Sequence, residues 1–161
     1  MNRHILLVLC FVVCWVPMLV AVEPLESHQD EWQLITKAMR EGNPKTGRDL
    51  LVGIEQDAIK SKQWDEVARA IATRVLLENS DRPGDDPQRL IDLDAAIQGA
   101  PVQTRGALQA IQANWTWNFF QMNRWRFAQR TTQAQSDTNR DLSEINSWDL
   151  RRIVLEIRDQ F

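Results

Sequence analysis

The 161-residue sequence predicts an all-α protein, a repeat-like array of antiparallel helical hairpins around one central aromatic-rich helix. Three observations carry that expectation. Apolar residues return at helical spacing in segment after segment. Breakers such as Gly42-Asn43-Pro44, Pro83-Gly84 and Gly99 with Pro101 fall between the segments. Tryptophan is abundant, at seven residues, tyrosine is absent, and the aromatic side chains crowd into the segment from Trp115 to Phe127.

Trp32, Ile35, Ala38 and Met39 mark a first helix, expected from about Glu26 to Glu41 and stopped by Gly42-Asn43-Pro44. Thr46, three residues before Asp49, reads as a capping box opening a second helix through Leu50, Leu51, Ile54 and Ala58. A polar turn at Lys60 to Lys62 leads into Trp64, Val67, Ala68, Ile71 and Val75, so the second and third helices should form an antiparallel hairpin. After the loop from Ser80 to Pro87, Leu90, Leu93 and Ile97 place a shorter fourth helix, closed by Gly99 and Pro101.

The fifth helix, expected from about Thr104 to Arg130, carries apolar residues on two faces at about 100° per residue. Leu108, Ile111, Trp115, Phe119 and Met122 share one, and Ala113, Trp117, Phe120 and Phe127 the other, which predicts a helix sandwiched between neighbours. Thr131 to Arg140 is polar and turn-rich. Ser147 then reads as the cap of a last helix, favoured by Asp149 at its positive end and lined by Leu150, Ile153, Val154, Ile157 and Phe161. Trp32-x-x-Ile35-x-x-Ala38 and Trp64-x-x-Val67-x-x-Ala70 begin alike at about the length of a tetratricopeptide unit, although the glycine and proline positions of that repeat are not met.

Residues 1–22 read as a signal peptide: a short n-region with Arg3, then an unbroken apolar run from Ile5 to Val16 ending before Pro17. The rival is an uncleaved anchor, since Ile5 to Val22 has no charge and roughly eighteen apolar residues just span a bilayer. Cleavage leaves an exported α-helical domain, residues 23–161, in the periplasm or cell envelope, with no membrane contact of its own. Cys10 and Cys14 leave with the leader, so disulfides, thiolate metal sites and a cysteine nucleophile are unavailable to what remains. Losing Arg3 takes the basic count from 19 to 18 against 22 acids, a formal charge of −4, which disfavours nucleic acid and anionic membrane as general partners.

His28 is then the only histidine, so no multi-histidine metal site can be assembled, and its polar surroundings near the new amino terminus give it no role as a base. We expect no cofactor, no metal and no catalytic residue. A small lysozyme-like carbohydrate-cleaving enzyme using Glu31 or Glu66 as its acid is the distant alternative, with no surrounding motif to support it. Asn123 to Arg130 interleaves arginines with aromatics, a pattern that suits an anionic ligand. The stronger reading is of arginines that cover apolar faces and pair with the acids in excess. Asn114-Trp115-Thr116 fits the glycosylation pattern but lies within an apolar helix.

Trp115-x-Trp117-x-x-Phe120-Gln121-x-Asn123-Arg124-Trp125-Arg126-Phe127-x-Gln129-Arg130-Thr131, followed by Ser147-Trp148-Asp149-Leu150, resembles the N-terminal helical region of large bacterial alpha-2-macroglobulin-like proteins. Gln63-Trp64-Asp65-Glu66 with Arg69-Ala70-Ile71-Ala72 is similar to an upstream helix of the same region. The resemblance implies an envelope location and a non-enzymatic scaffold that precedes the macroglobulin domains of a peptidase inhibitor. Trapping activity does not carry over, because this chain has no Cys-x-Glu-Gln thioester motif, β-domains or bait segment. The apolar face still in register at Phe161 agrees with an expectation that the chain is the front part of a larger protein.

The functional expectation is therefore an exported helical scaffold or interaction domain, with a free-standing periplasmic protein-binding module as the alternative. Its partner would be the rest of a larger chain or an envelope protein. Trp115, Trp117, Phe120, Trp125 and Trp148 are the expected core, and Leu150, Ile153, Ile157 and Phe161 the expected docking face.

Overall fold

The computed structural model describes residues 28–130 and 141–160. The expected leader, the segment from Thr131 to Arg140 and the docking-face candidate Phe161 lie outside the described residues. Among the described residues six α-helices run in order, α1 (Gln29–Arg40), α2 (Pro44–Lys60), α3 (Trp64–Glu78), α4 (Gln88–Gly99), α5 (Val102–Ala128) and α6 (Leu150–Gln160), with a 3-10 turn at Leu142–Ser147. Among the described residues there is no strand, so the class is all-α. Each helix packs on the next, and α3 also packs on α5. Among the described residues no helix is long and apolar enough to cross a membrane.

Chain reversals explain the first two boundaries. Gly42 takes φ +68° and the N–H of Asn43 reaches back to the carbonyl of Ala38 at 2.9 Å, a Schellman stop for α1. The end of α2 repeats it: Lys62 takes φ +57° and the N–H of Gln63 bonds the carbonyl of Ala58 at 2.8 Å. The capping box expected at Thr46 does not form, because α2 has already begun at Pro44, whose fixed φ and missing N–H suit a first helical position. His28 is non-helical, so α1 opens at Gln29 rather than Glu26.

Three apolar clusters follow one another along the fold. Trp32 and Ile35 of α1 pack with Leu51 and Ile54 of α2 against Ala70 and Leu77 of α3. The opposite side of α3, with Val67, Ile71 and Val75, meets Ala58, Leu93, Ile97 and Leu108. The third cluster holds Leu90, Phe119, Phe120, Phe127, Leu142, Ile145, Trp148, Ile153 and Ile157. Trp115 is partly buried against both of the last two.

Two expected core residues are overturned. Trp117 is 45% exposed and Trp125 64%, whereas Trp148 is 1% exposed and Phe120 is buried. The reason lies in the line that α5 turns inward: Thr104, Leu108, Gln112, Thr116, Phe119, Asn123 and Phe127 are all buried. Each of its polar members has a hydrogen-bond partner. Thr104 Oγ1 donates to the Pro101 carbonyl at 2.8 Å, Gln112 Nε2 to Asp94 Oδ1 at 3.1 Å, Thr116 Oγ1 to the Gln112 carbonyl at 2.8 Å, and Asn123 Nδ2 to the Phe119 carbonyl at 2.9 Å. A buried polar group with a partner costs little, so this stripe faces inward and leaves the two tryptophans outside.

The expected docking face is corrected too. Ile153 and Ile157 are buried in the third cluster, since α6 closes on α5 within the same molecule. Of that set Leu150 alone, among the described residues, is exposed. Ser147 ends the 3-10 turn and bonds the Glu144 carbonyl, and the cap of α6 is Asp149, whose Oδ1 accepts the N–H of Arg152 at 2.8 Å.

Candidate functional site

Among the described residues, the second half of α5 presents the largest exposed apolar side chains on one helix. Trp117, Met122 and Trp125 are 45%, 55% and 64% exposed. The indole of Trp117 rests on Phe120 with ring centroids 5.5 Å apart, Phe120 lies 5.9 Å from Phe127, and Phe127 meets Phe119 edge-on at 6.2 Å. A row of aromatic rings thus runs from the surface into the third cluster and holds Trp117 in place without covering it. Met122 extends over the α3–α4 loop, where a Cβ on Gly84 would lie 2.7 Å from the Met122 methyl. Gln121 stands one turn from both tryptophans and is exposed, as is Arg124.

Among the described residues no arginine of this stretch lies over one of its aromatic rings. Arg126 donates to Asn123 Oδ1 at 2.8 Å and Arg130 to the Trp148 carbonyl at 3.0 Å. The guanidinium groups that lie over indoles come from other helices: Arg69 over Trp32, Arg89 over Trp115 and Arg152 over Trp148, at 3.9, 5.1 and 4.5 Å from the ring centres. The motif of arginines and aromatics is therefore split, its phenylalanines inside, its tryptophans outside and two of its arginines tied to backbone and amide oxygens. Within the glycosylation pattern, Asn114 is exposed and bonds Asn118, while Thr116 is buried.

Glu66, the carboxylate considered as a sugar-cleaving acid, is buried between α1 and α3. Its Oε1 accepts the indole N–H of Trp32 at 3.0 Å, and Oε2 lies 3.3 Å from Nδ1 of His28. That geometry ties the start of α1 to α3. His28, given no role from sequence, belongs to this contact, and nothing in its local sequence signals so, because its partner is 38 positions away in the chain. Among the described residues no group of three or more His, Cys, Asp or Glu side chains is placed to hold a metal ion.

The described residues define an all-α protein that offers a solvent-facing aromatic surface on α5. Compared with known proteins, the chain matches no family model, no curated protein and no solved structure.

Proposed function

We propose that this chain is an exported, non-enzymatic helical interaction domain that docks a protein partner on the outward face of α5, through Trp117, Met122 and Trp125. The observation that carries the reading is the exposure of two tryptophans on a helix whose other side is anchored in the core. Exposed aromatic anchors on a rigid support are the groups that contribute most when an interface closes, since they bury large apolar area and lose few rotamers.

The resemblance of the Trp115 to Thr131 stretch to the front of alpha-2-macroglobulin-like proteins supports a cell-envelope setting, in which the partner is the β-rich remainder of such a protein. A free-standing module with another envelope protein as partner uses the same face. A photo-crosslinking residue at Gln121, between the two tryptophans, tests both: we expect an adduct in envelope extract whose mass-spectrometric identity separates the two settings. The same residue at the exposed Gln109 should give none. Unchanged crosslinking in a Trp117→Ala, Trp125→Ala double variant would reject α5 as the docking face.

A further inference from the structure

A second surface lies on the opposite end of the fold and depends on neither α5 nor export. An open groove of about 860 Å³ runs along α1 toward α3, with Trp32 as its floor and Gln33, Lys37, Arg40, Glu41 and Arg69 around it. A buried group organises it. Glu66 fixes the Trp32 indole through its N–H, and the Arg69 guanidinium carbon lies over that ring, 3.9 Å from its centre. A stacked guanidinium is held flat while its N–H edges stay open, the arrangement that accepts a carboxylate in its plane.

Charge at the groove runs against that of the chain. The whole sequence carries −3, yet the groove gathers Lys37, Arg40 and Arg69 against Glu41, which already lies 3.9 Å from Lys37. Among the described residues neither Arg40 nor Arg69 has a carboxylate within ion-pair distance. From Trp32 to Arg40 is about 12 Å along a helix. Alternate residues of an extended chain stand roughly 7 Å apart on one side, so three acidic residues at every second position span about 13 Å. The volume falls in the range of sites that hold ligands much larger than one inorganic anion.

We infer that the α1–α3 groove binds an extended acidic peptide segment, with carboxylates on Arg69 and Arg40 and Lys37 between them. Trp32 and Glu66 act as positioning residues, holding Arg69 flat.

Fluorescence anisotropy of the purified protein with a labelled Glu-Ser-Glu-Ser-Glu peptide tests this, the Gln-Ser-Gln-Ser-Gln peptide being the neutral control. We expect saturable binding of the acidic peptide that weakens with salt. Arg40→Gln and Arg69→Gln, both at exposed positions, should each reduce affinity about tenfold at unchanged circular dichroism. Trp32→Phe keeps a ring but loses the tie to Glu66 and should weaken binding less. Arg124→Gln on α5 should have no effect. Equal binding of the neutral peptide, or loss with Arg124→Gln in place of Arg69→Gln, would overturn the inference. Full displacement by inorganic phosphate at the peptide's own concentration would also overturn it, reducing the groove to a small-anion site.

Discussion

Glu66 is a carboxylate whose work in this fold is to hold other side chains. Its two oxygens face the Trp32 indole and the His28 imidazole inside the α1–α3 contact, so removing it leaves a buried donor with no acceptor. Glu66→Ala should lower the unfolding free energy by about 1–3 kcal/mol, and Glu66→Gln by less, because an amide oxygen still accepts the indole N–H. Chemical denaturation of the two variants at neutral pH measures both. A pH effect belongs to Asp86. The N–H of Gln88 chiefly, and then Arg82, hold its carboxyl below the ordinary 3.8. Its contribution to stability is fully present above that ordinary value and is lost as pH falls through the lowered folded one. Asp86→Asn should therefore flatten the acid limb of a stability profile below about pH 4 and leave the slope near neutrality unchanged.

At the scale of the element, the two Schellman stops invite comparison. Gly42 meets the left-handed φ without a Cβ, but Lys62 meets the same requirement with one. Lys62 is exposed, and Lys62→Gly should raise stability by about 1 kcal/mol by relieving that conformation, as read from the midpoint of urea unfolding. The long helix α5 makes the sharper contrast. Trp148→Ala, emptying a buried position in the third cluster, should cost about 3–5 kcal/mol. Trp125→Ala, on the outward side, should stay within about 0.5 kcal/mol of the parent. A pair of thermal melts decides this, and equal losses would contradict the inward line of α5.

Across the whole molecule, the three clusters are coupled through two helices. One side of α3 belongs to the cluster with α1 and α2, and the other to the cluster with α4 and α5. Trp115 then joins that second cluster to the third. The helix α1 has no such double role and is held chiefly by α2 and the Trp32–Glu66 bond. Native-state hydrogen exchange should show α1 amides opening at lower free energy than those of α3 and α5, because an element with one packed stripe can detach alone. Exchange of α1 only through global unfolding would show instead that the molecule is one cooperative unit.

Much of this was legible from the sequence by itself. Helical spacing and the breakers at Gly42-Asn43-Pro44, Pro83-Gly84 and Gly99 with Pro101 determined the all-α class and nearly every helix, since both signals are local. Trp32, Ile35, Ile54, Val67, Leu93 and Ile97 were readable as buried because they sit alone on a single stripe. Only the tertiary structure decided which side of α5 faces in. Its sequence offers two apolar faces, and the buried line takes Leu108 and Phe119 from one and Phe120 and Phe127 from the other, with partners far along the chain such as Asp94 for Gln112. The same distance hid the roles of His28, Glu66 and Arg69, and it placed Ile153 and Ile157 inside. A stripe shows that a face is apolar, while burial needs a neighbour, and neighbours distant in sequence are set by packing.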